Sequence, residues 1–197
     1  MSLPEQYSHV LKTGPAAELL TLAEAKTYLH IDHDAEDDEI TQMIVEARKA
    51  VESFTSRQLI TATWVLRMDQ FVAVITPPRP KLLSVTTFAY VDSNGDSQTL
   101  TEGEDFDIDI YSTPGRIVPV YGGSWPSTRG HINDVTITHT AGYGATASTV
   151  PDDLRKAHKL LLGHYHEHRE QWIAGESIAK FPTAEHLMWE YREGGKR

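Results

Sequence analysis

The chain has 197 residues, of which 40% are hydrophobic and 23% charged. These shares are those of an ordinary globular protein, so they exclude a disordered or fibrous chain. Because cysteine is absent, disulfides, thiolate metal sites and a thiol nucleophile are excluded as well. No run approaches the roughly 20 apolar residues that span a bilayer, and the first residues lack the pattern of a signal peptide, so we expect no membrane association.

The charge balance is acidic. Lys and Arg total 18 against 28 for Asp and Glu, which gives a net charge of -10. Proteins that hold nucleic acid carry basic patches that replace condensed counterions, so tight or sequence-specific DNA binding is disfavoured. An acidic protein can still surround DNA that must slide past it, because like charges prevent sticking.

The N-terminal part predicts a loose arm followed by two helices. Residues 1–18 show no sustained periodicity and are interpreted as the arm. Thr21 and Glu24 form a capping box, which predicts that a first helix begins there. Between residues 37 and 54, apolar side chains recur at spacings of four and three, which predicts an amphipathic second helix with an acidic first turn.

The middle of the chain, residues 60–146, predicts an antiparallel β domain. Short runs rich in Thr, Val, Ile and aromatic residues alternate there with Pro and Gly. An Asn94-Gly95 pair favours a hairpin turn. The predicted strands are 62–69, 83–91, 97–101, 106–110, 116–120 and 134–140.

A third, long helix is predicted from Pro151 to about Trp172. A link that contains Gly and Pro follows it, and then a short helix over 184–192 and a polar tail over 193–197. Each amphipathic helix is too short to bury its face alone, which favours packing of the first helices against the last. We therefore predict an α+β fold: a discontinuous helical unit, residues 19–58 plus 150–192, with the β domain inserted into it.

Four histidines in the third helix form the most conspicuous chemical pattern. They are His158, His164, His166 and His168. His164 and His168 stand at i and i+4, a spacing that can bind a divalent metal with help from Glu167 or Glu170. The order H-E-x-x-H is absent, however, so a solvated or interface face with packing against aromatics is the favoured interpretation.

An acidic run precedes the second helix. It resembles the start of a calcium loop, but Asp37 stands where the glycine is required and Met43 where the closing glutamate is required. Favourable charge at a helix start explains most of this run. An acidic surface near a DNA channel is the second interpretation, for Asp32, Asp34, Glu36, Asp37 and Asp38.

No catalytic motif is present: there is no nucleophile elbow, no P-loop and no dinucleotide fingerprint. We therefore predict no enzyme, no catalytic residue, no cofactor and no metal. Aromatic residues near Arg are typical interface anchors. The residues Leu187, Trp189, Tyr191 and Arg192, which follow the link, are the predicted docking residues, whereas Trp125 is at least as well explained as a packed loop residue.

An ordered series of motifs resembles the long form of the head-tail connector (adaptor) family of tailed phages, prophages and gene transfer agents. The series is Leu22-Ala23-Glu24-Ala25-Lys26, Asp37-Asp38, Ser56-Arg57-Gln58-Leu59-Ile60-Thr61 with Trp64, Pro78-Arg79-Pro80, Ser84-Val85, Tyr90 to Gly95, Pro114-Gly115-Arg116-Ile117, Trp125-Pro126, Ala141-Gly142-Tyr143-Gly144, Val150-Pro151 and His168-Arg169-Glu170. The His-rich third helix departs from the family pattern.

The resemblance implies a structural protein of the head-tail junction. It implies a homo-oligomeric ring, dodecameric when assembled, that lies below the portal protein, joins it to a tail or stopper protein and surrounds the DNA path. The four predicted docking residues, Leu187, Trp189, Tyr191 and Arg192, would then bind the portal protein. Assembly would take place in the bacterial cytoplasm. Two alternatives are a small metal-dependent hydrolase that uses the His-rich helix and a host β-rich interaction module.

Overall fold

The computed structural model describes residues 6–168 and 182–193, which divide between two compact units. The sheet unit comprises the chain up to Pro15 together with Thr61–Gly142. The helical unit comprises Ala16–Ile60 together with the chain from Tyr143. The fold is α+β, as predicted, with helices and antiparallel strands separated into different units.

The sheet unit contains seven strands among the described residues. They are β1 (Tyr7–Thr13), β2 (Ala62–Met68), β3 (Leu82–Val91), β4 (Ser97–Leu100), β5 (Phe106–Asp109), β6 (Arg116–Pro119) and β7 (Val135–Ala141). Five of them form an antiparallel sheet in the order β1-β2-β7-β3-β4, and β5 pairs with β6. The predicted hairpin joins β3 to β4, with Gly95 at a φ of 92°.

One apolar core joins the sheet to the β5–β6 hairpin. Leu66, Phe88 and Ile137 of the sheet are fully buried against Phe106 and Ile117 of the hairpin. Burying a side chain of this size stabilises a fold by about 1.5 to 3 kcal/mol. The alternation along these strands places one face of the sheet on that core.

The prediction of a loose arm over residues 1–18 is wrong for residues 7–13, and residues 1–5 lie outside the described residues. Residues 7–13 form β1, which pairs with β2 from Tyr7 opposite Met68 to Thr13 opposite Thr63. The segment carries no strong strand signal of its own, and it becomes a strand because β2 offers it a row of backbone partners. Leu19 and Leu20, which follow, are buried in the helical unit.

The helical unit contains α1 (Leu22–Leu29), α2 (Asp37–Thr55), α3 (Asp152–Glu167) and α4 (Pro182–Trp189) among the described residues. The capping box is present: the backbone N–H of Thr21 donates to Glu24 at 2.8 Å, and that of Glu24 donates to Thr21 Oγ1 at 3.2 Å. Pro151 is the residue before α3 and not its first turn. The predicted extension of α3 to Trp172, and the link after it, lie outside the described residues.

The apolar stripe of α2 is buried as its spacing predicts. Ile40, Ala47 and Val51 are fully buried, and α3 and α4 pack against the same helix through Leu154, Leu162 and Met188. The N-terminal and C-terminal helices therefore share one helical unit. None of the described helices is both long and apolar enough to cross a membrane.

Candidate partner-docking surface

The last described segment, residues 182–193, lies against the ends of α2 and α3. Ala184 and Met188 of α4 are buried, so one side of this short helix belongs to the core of the helical unit. Leu187 is half-buried against the same core. The predicted helix over 184–192 begins earlier, at Pro182, and ends earlier, at Trp189.

Two exposed side chains of this segment, Trp189 and Arg192, form a cluster with the half-buried ring of Phe54. Trp189 is 53% exposed, and its ring centroid lies 6.3 Å from that of Phe54 at the end of α2. The guanidinium carbon of Arg192 lies 5.4 Å from the Trp189 ring centroid and 5.6 Å from that of Phe54. Arginine placed over aromatic faces in this way is held in position while its donors stay accessible.

The backbone after α4 is fixed by hydrogen bonds to α2 and the residues that follow it. Arg57 donates from Nε to the carbonyl oxygen of Tyr191 and lies 3.6 Å from the Glu193 carboxylate. The backbone N–H of Glu193 donates to the Thr55 carbonyl oxygen at 3.0 Å. Glu193, which the sequence assigns to a polar tail, is therefore part of the structured segment, and residues 194–197 lie outside the described residues.

Tyr191 faces inward. It packs against the core of the helical unit, and its hydroxyl donates to the Asp153 carboxylate at 3.4 Å. Burial and the neighbouring Asp153 raise the pKa of Tyr191, so the phenol keeps its proton and remains a donor. Of the four predicted docking residues, the structure exposes Trp189 and Arg192, whereas Leu187 and Tyr191 are half-buried.

Sequence reasoning missed Phe54 and Arg57 as parts of this surface. Phe54 looks like the last member of the buried stripe of α2, and Arg57 looks like an ordinary charge after a helix. Their contacts join residues more than 130 positions apart, such as Arg57 to Tyr191. Ser56-Arg57 belongs to one of the motifs that resemble the connector family, which marks the position as significant. That motif does not indicate that Arg57 contacts Tyr191.

The acidic run before α2 is partly neutralised. Lys26 Nζ lies 2.5 Å from Asp34 and 2.8 Å from Asp37, and these hydrogen bonds raise the pKa of Lys26 and lower that of Asp34. Glu36 lies 3.4 Å from His166. Asp32, Asp34 and Asp38 are exposed, and of these three Asp34 is the one that pairs with Lys26.

The His-rich helix does not present one face. His158, expected on a solvated or interface face, is fully buried, with its Nε2 2.9 Å from the Ile44 carbonyl oxygen, because α3 packs that side against α2. Burial lowers the pKa of His158. The ring centroids of His164 and His168 lie 4.5 Å apart with the rings tilted by 33°, whereas His166 lies near Glu36. Within the described residues, no three His, Asp or Glu side chains come together in a group that could hold a metal.

Trp125 is a packed loop residue. Its indole N–H donates to the Val72 carbonyl oxygen at 2.8 Å, and its ring stacks on Phe71 with 5.0 Å between centroids. It packs against the core of the sheet unit. Of the two readings of Trp125, as an interface anchor or as a loop plug, the structure therefore favours the plug.

Comparison with known proteins gives a family match over most of the chain. The model of a family described as head completion protein matches residues 18–187. No curated protein matches.

Solved structures of gene transfer agent (GTA) particles match the fold. A chain from the neck of an empty GTA particle, computed with C6 symmetry, is 25% identical, with a TM-score of 0.76 over 94% of this chain and 95% of that one. A chain from the virion of a native GTA particle is 24% identical, with a TM-score of 0.75 over 93% and 94%. A chain from the neck of a native GTA particle, computed with C12 symmetry, has a TM-score of 0.68 at 24% identity over the same shares.

Proposed function

Because the chain belongs to the head completion protein family, we propose that it is a structural subunit of the head-tail connector in a phage, prophage or GTA particle. In this proposal many copies form a ring beneath the portal protein, dodecameric when assembled, that joins the head to a tail or stopper protein. The role is structural and not enzymatic. The resemblance to the long, β-containing form of the connector family is part of the same proposal.

The observation that carries the proposal is the near-complete correspondence with a neck protein. The similarity extends over 94% of this chain and 95% of a chain from a GTA neck that was computed with C6 symmetry. The helical unit and the sheet unit therefore both have counterparts in that neck chain. The neck of that particle was computed with rotational symmetry, which supports the proposal that copies of this chain also form a closed ring.

The surface of Trp189 and Arg192 is the proposed portal-docking site. An exposed indole beside a cation whose position is fixed has the composition of an interface hot spot. Because the backbone of Tyr191 and Glu193 is bonded to Arg57 and Thr55, the surface is ordered before a partner arrives. Binding then requires little further loss of conformational entropy.

The exposed acids Asp32 and Asp38 are the proposed members of a surface near the DNA path. Like charge would keep passing DNA from adhering, without any sequence-specific contact. Replacing both with lysine should increase retention of DNA by the assembled ring, whereas the same change at Glu46, an exposed acid of α2, should not. If both variants retain the same amount of DNA, Asp32 and Asp38 do not lie near the DNA path.

The deciding experiment is electron microscopy of the purified chain mixed with its portal protein, beside the chain alone. We expect a ring that caps the portal, with the end of α4 at the contact. Components that stay separate at micromolar concentration would overturn the connector proposal. The hydrolase alternative predicts stoichiometric zinc in untagged protein. The host-module alternative predicts no affinity for a portal protein. No arrangement of the described residues favours either alternative.

A further inference from the structure

The outer edge of β1 has the properties of an interface. Within the described residues, β1 is the end strand of the five-stranded sheet, so one of its two backbone edges pairs with no strand. Three of its apolar side chains are exposed: Tyr7 at 49%, Val10 at 50% and Leu11 at 45%. An edge strand with unpaired backbone groups and exposed apolar side chains is a template for pairing with another chain.

The charge of the sheet reverses from this edge to the other. The strands β1 and β2 carry Lys12 and Arg67 and no carboxylate. From residue 82 to residue 115, which includes β3, β4 and β5, the chain carries seven acidic residues and no Lys, Arg or His. Those exposed beside and after β4 are Asp96, Glu102, Glu104, Asp105 and Asp107.

The two edges cannot meet within one molecule. They are separated by four inter-strand spacings, or about 19 Å at about 4.8 Å each. Opposite charges on opposite edges match only when two copies approach head to tail. A contact between two different patches of the same chain is the kind that closes a ring.

We propose that the outer edge of β1 docks on the acidic β4 edge of a neighbouring copy, an interface that rests on the ring assembly of the proposed function. Tyr7, Val10 and Leu11 supply the apolar centre, and Lys12 faces the carboxylates that flank β4. Since all neighbouring strands are antiparallel, β1 and β4 run in the same direction. Successive copies therefore keep one orientation around the ring.

Cysteine crosslinking tests the interface directly because the natural chain has no cysteine. Leu11→Cys on β1 and Thr99→Cys on β4, both at exposed positions, are made separately and together in the full chain. Each protein is assembled on the portal and treated with a flexible thiol-to-thiol crosslinker. The double variant should give a ladder in multiples of the 22.1 kDa subunit, and a mixture of the two single variants should give dimers only.

The matched control moves the second cysteine to Thr87, which is exposed on β3, inside the sheet. The pair Leu11→Cys with Thr87→Cys should give no ladder. A ladder equal to that of the Thr99 pair, or dimers from Leu11→Cys alone, would overturn the proposal, because the contact would then not join β1 to β4.

Electron microscopy of the wild-type chain distinguishes failure of this interface from failure of the connector role. A ring on the portal without a crosslinked ladder would overturn this interface and leave the connector role standing, whereas no ring would overturn both. As a second test, Lys12→Glu should lower the fraction of capped portals, and adding Glu104→Lys should restore it. An undiminished fraction with Lys12→Glu, or no recovery in the double variant, would count against the charge match.

Discussion

Arg192 lies over Trp189, with 5.4 Å between the guanidinium carbon and the ring centroid, at the point where the chain leaves α4. The pair rests on Phe54 of α2, so two segments distant in sequence build one exposed surface. The indole is only half covered, so about half of its surface is available to the proposed partner.

Trp189→Ala should weaken portal binding by about ten- to a hundredfold, equivalent to about 1.4 to 2.8 kcal/mol, because exposed aromatic anchors dominate interface energies. Thermal unfolding should change little. Pull-down with portal protein and circular dichroism measure the two effects. Tyr121→Ala, at a fully exposed aromatic of the sheet unit, is the control and should bind normally; equal binding by both variants would refute the docking assignment.

Glu52→Ala should destabilise the helical unit by about 1 to 3 kcal/mol, because the buried donors that bond to its carboxylate lose their acceptor. Glu52 is 7% exposed and accepts hydrogen bonds from Arg48 and from Gln58. Arg48 also holds Glu18 through two further bonds. Urea denaturation gives the free energy of unfolding, with exposed Glu46→Ala expected within about 0.5 kcal/mol of wild type; similar losses in the two variants would contradict the buried network.

Gly144→Ala should lower stability by about 1 to 3 kcal/mol because the new methyl group has no space. A Cβ built there would lie 2.5 Å from Thr149 Oγ1 and 2.7 Å from its Cγ2. At Gly14 an added Cβ meets nothing within 4 Å, so Gly14→Ala is the matched control. Thermal unfolding should separate them, and equal midpoints would show that the turn around Thr149 moves aside.

The sheet unit should lose stability as the pH falls below neutrality. His9 stacks on Trp64 at 4.5 Å, and its Nε2 lies 3.4 Å from His139 Nε2. Burial, with the charge of Arg79, lowers the pKa of His9 from 6.5 to about 4, and burial next to His9 lowers the pKa of His139 to about 3. The folded state therefore favours neutral rings: this stability is fully present above pH 6.5 and is lost as the pH falls toward 4.

Between pH 7 and pH 5 the loss from His9 should be about 1 to 2 kcal/mol. His9→Gln should remove that part of the pH dependence, whereas His30→Gln, at an exposed histidine, should keep it. Denaturant unfolding followed by tryptophan fluorescence at both pH values measures the slope. An unchanged slope in His9→Gln would contradict the assignment.

Local signals in the sequence predicted much of the fold. The stripe of Ile40, Ile44, Ala47 and Val51 predicted α2 within one residue of its observed end, because burial follows helical spacing. The six predicted strands agree with β2 to β7 within one residue at each end. The β-branched residues favour strands, and the Gly and Pro residues that flank each run mark where the strand ends. These are patterns within one segment.

Sequence patterns alone specified the types of the elements from α1 onward, the acidic balance and the exclusion of thiol chemistry. Three features became apparent in the folded chain: residues 7–13 form the edge strand of a sheet, His158 is buried, and Trp189 and Arg192 are exposed while Tyr191 faces inward. The reason is physical: strand pairing, burial of a polar ring and the stacking of Arg192 on Phe54 depend on partners far away in sequence. No local pattern specifies which distant segment supplies those partners.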